Sequence, residues 1–146
     1  MELKLHFTAE NKAEISLDNG DPVEIDFTNP LSEKDLSDIR WYIETYGVSS
    51  LDHPDDNEAQ RVAGKLPEFG KALYNAVFNI RAADKLFGRF QDKRDKNRLV
   101  TISAKYASVL ALPWELLHEP ESNGTYLFNE NPRVSIRRTV PGSLEG

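Results

Sequence analysis

The first twenty-seven residues alternate apolar and polar side chains in three successive runs, which more than any other feature limits what the chain can fold into. Leu3, Leu5 and Phe7 form the first run, with Lys4 and His6 between them; Ala13, Ile15 and Leu17 form the second, and Val23, Ile25 and Phe27 the third. Side chains alternate across a strand, so each triplet makes one apolar face that needs a cover. The connections "AEN" and "DNGD" are short, and Asn19-Gly20 is a favoured hairpin pair because both residues tolerate positive φ. The pattern predicts a three-stranded antiparallel meander over residues 2–27.

The period then changes from two to between three and four. Ser32 followed by Asp35 is a variant of the capping box, and Leu36, Ile39, Ile43 and Tyr46 form a helical stripe that Gly47 can stop. Trp41 falls nearly opposite that stripe. Helix resumes near Asn57 with Ala59, Val62, Ala63 and Leu66. Pro67 is expected to begin a new helix, since it lacks an N–H and suits a first turn, and Phe69, Leu73 and Val77 continue from it. A fourth helix runs from about Arg81 to Gln91, with Ala83, Phe87 and Phe90 on one side.

The β-branched "RLVTISA" predicts a buried strand at 98–104. Pro113 opens the short turn "PWELL", and "TYLF" and "VSIRRTV" predict two strands joined by the turn-prone "NENP". In the last strand Val134, Ile136 and Val140 face one way and Arg137 the other, with Arg138 on the apolar side. The expected class is α/β (or α+β): an N-terminal β-meander, about four helices, then further strands, in one domain spanning residues 1–146.

Composition removes several functions. The chain has no cysteine, which excludes disulfides, thiolate catalysis and cysteine–zinc sites. A formal net charge of −6 opposes a nucleic-acid partner. "MELKLHF" is not a signal peptide, and no apolar run approaches the roughly 20 residues of a membrane span. The expectation is a soluble cytoplasmic protein with no membrane partner and no cofactor.

Candidate sites are sparse. His53 with Asp52, Asp55 and Asp56 offers oxygen ligands to a hard cation, but the spacing fits no calcium loop, and acidic residues are common before helices. No metal site is therefore expected. The serines at positions 32, 37, 49, 50, 103, 108, 122, 135 and 143 lack a glycine-elbow context, so no catalytic residue is assigned. Glu115 and Glu119 stand four apart and read as a solvated face or as partners for Arg133, Arg137 or Arg138. Arg89, Lys93, Arg94, Lys96 and Arg98 form a basic cluster whose ordinary reading is a solvated helix end. Neither GxGxxG nor GxxxxGK[ST] occurs. Trp114, Leu116 and Leu117 after Pro113 make an apolar knot, read as core before contact surface.

"LPWELL", then a polar turn, "GTYLF" and "RVSIRR", preceded by "DIRWYIETYG" and "LPEFGKALYNAVF", resemble the N-terminal half of the CHAT domain. That domain belongs to the caspase-like, separase-related group of cysteine peptidases. The similarity covers roughly residues 35–140. It implies part of an α/β/α sandwich with a mostly parallel sheet, in which Pro113, Trp114, Glu115, Leu116, Leu117 and Arg137 are structural or contact residues of the family motif. The family's histidine–cysteine pair lies in the half that would follow residue 146, and none of His6, His53 or His118 stands in a matching "HG" setting. The resemblance therefore implies a non-catalytic scaffold whose partner is the remainder of its parent chain or another protein, with a homo-oligomer as a further possibility. The other reading is a self-contained protein–protein interaction module with no peptidase link. The scaffold reading expects an exposed apolar face or edge; the module reading expects a covered sheet and one modest apolar patch.

Overall fold

The computed structural model describes residues 1–46, 57–93, 97–117 and 134–141. The first strand, β1 (Glu2–Ala9), pairs antiparallel with β2 (Lys12–Leu17), which pairs antiparallel with β3 (Val23–Asp26). The expected meander is present. Its second turn is shifted by one residue: Gly20 N–H donates to Leu17 O at 2.9 Å, and the two positive φ values fall at Asp18 (50°) and Asn19 (63°). Asn and Asp accept that region better than other non-glycine residues, so the hairpin closes without Gly20 taking a positive φ.

Helix α1 (Glu33–Tyr46) begins with the anticipated reciprocal cap: Asp35 N–H donates to Ser32 Oγ at 3.1 Å, and Ser32 N–H donates to Asp35 Oδ2 at 3.0 Å. Its buried stripe runs through Ile39 and Tyr42, with Leu36 and Ile43 half-covered, and Trp41 is partly exposed. Helix α2 (Asn57–Val77) is continuous through Pro67, where the sequence predicts a break. Val62, Leu66, Phe69, Leu73 and Val77 all point into the core from one face. Burial of each contributes about 1.5–3 kcal/mol, which together outweighs the ~3 kcal/mol cost of an interior proline.

Helix α3 (Arg81–Asp92) buries Ala83, Leu86, Phe87 and Phe90. Phe87 lies 5.0 Å from Tyr74 and 4.9 Å from Phe78, ring centre to ring centre, and Tyr74 Oη donates to Asp84, tying α2 to α3. Strand β4 (Arg98–Ser103) follows, then the single turn α4 (Ala107–Leu110), a 3-10 turn (Trp114–Leu116) and β5 (Val134–Thr139). "TYLF" and "NENP" lie outside the described residues.

The five strands form one mixed sheet in the order β3-β2-β1-β4-β5, with β1, β4 and β5 mutually parallel. The odd residues of β1 and their neighbours Ala13, Ile15, Ile25, Val100, Ile102 and Val134 share one core with the helices. The opposite face carries Glu2, Lys4, His6, Glu14, Ser16, Thr101, Ser103 and Arg137. Among the described residues no helix is long and apolar enough to cross a membrane.

Pro67→Ala is expected to stabilise the fold by about 1–2 kcal/mol, because restoring the helical N–H exceeds the entropy the proline removes from the unfolded chain. Urea unfolding measures it; a lowered midpoint would mean that the helix needs the proline's geometry.

Candidate functional site

Two constellations stand out, one on each side of the sheet. On the helix side, the motif "PWELL" is core. Trp114 is fully buried, its indole N–H donates to Val109 O at 2.9 Å, and its ring packs 6.1 Å from Phe7 and 6.3 Å from Phe27. Phe7 and Phe27 meet edge to face at 5.2 Å. The proline φ and the 3-10 turn let a bulky ring enter the sheet's apolar face from a loop, where the polar N–H needs, and finds, a carbonyl. Pro113, Leu116 and Leu117 are buried with it.

Arg138 holds this turn against β5. As the alternation predicts, it lies on the apolar side of the strand. It donates from Nε to Leu110 O at 2.8 Å, from Nη2 to Leu112 O at 2.9 Å, and to both oxygens of Glu115 at 2.5 and 2.8 Å. Burial pushes the Glu115 carboxyl up, but the Arg138 guanidinium, through hydrogen bonding and charge, and the backbone N–H of Glu115 outweigh it, so the net displacement is downward. The hydrogen bond to Glu115 correspondingly raises Arg138 against its own desolvation. Of the arginines considered for Glu115, Arg138 is the partner. Glu119 lies outside the described residues.

On the open side, the alternation produces rows of polar side chains across neighbouring strands. Glu14, His6, Ser103 and Thr139 occupy one row, and Ser16, Lys4, Thr101 and Arg137 the next. His6 Nδ1 and Ser103 Oγ share a hydrogen bond at 3.1 Å. Glu2 accepts from Thr101 and, at 3.2 Å, from Arg137 Nη2. Glu2, Lys4, His6, Thr101, Ser103, Arg137 and Thr139 line a shallow groove of about 370 Å³. The contact between His6 and Ser103, ninety-seven residues apart, is not readable from local sequence; pairing β1 with β4 creates it. Contact between a serine and a histidine is not by itself a nucleophilic centre, which also needs an oriented base and an open approach to the hydroxyl. Ser103 is the last residue of β4 and is 4% exposed.

The basic cluster divides. Arg98 is buried, with its guanidinium 5.2 Å above the Phe90 ring and donating to Gln91 Oε1 at 2.7 Å and Phe90 O at 3.3 Å. It closes the C-terminal end of α3 instead of forming a surface patch, so the solvated reading is corrected for this residue: the carbonyls at that helix end and the aromatic face attract the cation inward. Arg94 and Lys96 lie outside the described residues, as do His53, Asp52, Asp55, Asp56 and His118. Among the described residues no group of three His, Asp or Glu side chains is placed to hold a metal ion. Comparisons of the chain with protein-family models, curated proteins and solved structures give no match.

Trp114→Ala is expected to cost about 3–5 kcal/mol in denaturant unfolding. A midpoint close to wild type would contradict a core role for the ring. Glu115→Gln gives a pH signature. A carboxyl whose folded pKa is depressed contributes stability above its unfolded pKa and loses it as pH falls through the folded one. The variant is therefore expected to be less stable than wild type at neutral pH, with the gap closing in acid. Thermal melts across that range check it; a gap that stays constant would remove the titration argument.

Proposed function

We propose that the chain is a non-catalytic scaffold that binds a protein partner over the open face of its sheet. The observation that carries this is the one-sided cover of a partly parallel sheet. Sheets with parallel strands are ordinarily enclosed on both faces, while β1, β4 and β5 have described helices on one side only. The resemblance of "LPWELL…GTYLF…RVSIRR" to the CHAT domain suggests the partner: the histidine–cysteine half of a caspase-like peptidase. The absence of any cysteine supports a supporting role, since the thiolate has to come from elsewhere.

A second reading, a self-contained interaction module, is favoured by the chemistry of that face. It carries Glu2, Lys4, His6, Glu14 and Arg137, not the apolar surface that half of a sandwich would leave. A hydrophilic face is stable in water by itself and suits a reversible partner.

Titrating the chain with a separately expressed histidine–cysteine half from the same genome distinguishes the two. The scaffold reading expects a one-to-one complex, weakened by Arg137→Glu, together with peptidase activity that neither part has alone. No complex and no gain of activity would remove it. A complex with an unrelated protein, again lost in Arg137→Glu, would establish the module reading.

A further inference from the structure

Strand order reverses between β1 and β4. The connection from β1 leads to β2 on one side, and that from β4 leads to β5 on the other. The β1–β2 connection is a tight antiparallel turn at Glu10 and Asn11, and it borders a recess at that end of the sheet. A crevice of about 320 Å³ lies there, beyond the ends of β1 and β3 and bordered on its other side by α4 and Leu112. Its floor is apolar and buried: Phe27, Val109 and Leu112. Phe7 and Trp114 support the floor from below through their contacts with Phe27.

The rim is polar and partly committed. Ser108 Oγ donates to Glu10 Oε2 at 2.6 Å, which fixes the carboxylate and leaves Oε1 to accept from a ligand. Asn29 Oδ1 accepts from Leu31 N–H at 2.9 Å, which leaves its amide NH₂ as the donor end of the side chain. Among the described residues, Glu10 is the sole ionisable one lining the crevice. One fixed anion, one amide donor and an apolar floor define complementary chemistry: a cation, a neighbouring acceptor and a short hydrocarbon body. The volume is at the small end of the range of ligand sites, which suits a molecule of a few heavy atoms rather than a nucleotide.

We infer that this crevice binds a small primary amine, its ammonium on Glu10, an adjacent hydroxyl or carbonyl oxygen on the Asn29 amide, and its carbon chain over Phe27, Val109 and Leu112. The site lies at the strand ends and not on the open face, so it stands or falls separately from the scaffold proposal.

Amide NMR of the intact chain tests it, with aminopentanol as the probe and pentanediol and hydroxypentanoate as uncharged and anionic controls. Aminopentanol is expected to shift the Glu10, Asn29 and Ser108 resonances saturably, with both controls weaker by at least about tenfold. Glu10→Gln keeps an acceptor for Ser108 and sits on the exposed rim, so it is expected to melt like wild type and lose the response. No saturable shift, an equal response to hydroxypentanoate, or an unchanged response in Glu10→Gln would each overturn the assignment.

Discussion

Strand β1 is bonded along both edges, antiparallel to β2 and parallel to β4, and its odd residues Leu3, Leu5 and Phe7 are almost wholly buried. Two otherwise separate pieces meet on it: the local N-terminal meander and the later strands that return after three helices. The meander alone would be marginal, since three strands with one apolar face need something to cover it. The parallel pair β4 and β5 likewise has no partner of its own on the meander side without β1. Joining them builds one apolar surface five strands wide, and that surface fixes where α2, α3 and the Trp114 turn can lie. A register slip of one residue between β1 and β4 would place Val100 and Ile102 on the polar side and Thr101 in the core, which accounts for the specificity of the pairing.

The core is completed by a loop and not by a helix at the end near Phe7 and Phe27. Trp114 supplies the volume there, and a cation on the apolar side of β5 secures it. Arg138 would be costly in that position alone. It is tolerated because two backbone carbonyls and the Glu115 carboxylate converge on the guanidinium, and because the pair remains about a third exposed, which limits the desolvation of both partners. Val109 and Leu112, which lead into this turn, form the floor of the crevice, so packing at Trp114 and the shape of the space above Phe27 are linked.

Much of this was legible from residue order. The alternation in residues 2–27, the Ser32–Asp35 cap, the buried 98–104 strand and the inward side of Arg138 all follow from local rules with a period of two or between three and four. The misreadings have a common cause. Pro67 obeys local chemistry in predicting a new start, but the apolar stripe from Val62 to Val77 holds one helix through it. Gly20 is the residue best suited to positive φ, yet the pairing of β2 with β3 puts Asp18 and Asn19 in that region. Arg98 reads as surface charge, but the end of α3 and the Phe90 ring draw it inside. In each case tertiary contact outweighs a local preference of a few kcal/mol or less. The Glu10–Ser108 and His6–Ser103 contacts were invisible for a different reason: they join β1 and its turn to residues nearly a hundred positions later, and nothing local encodes the order in which strands lie side by side.

The open face shows what that ordering does to chemistry. In a sheet enclosed on both sides, positions 4, 6, 101 and 103 would be filled by Val or Ile. Here Thr101 and Ser103 are nonetheless buried, because longer side chains of the same face, Glu2, His6 and Arg137, fold over them and satisfy their hydroxyls. The sheet thus covers its own centre with a hydrogen-bonded polar layer. Any second layer laid upon it has to leave those bonds intact or replace them, since an exposed hydroxyl or carboxylate stripped of water and partner costs more than burial of nearby carbon returns. Such a surface discriminates strongly between a partner with matching polar groups and a merely apolar one. Whatever lies on this face has to meet that layer polar group for polar group.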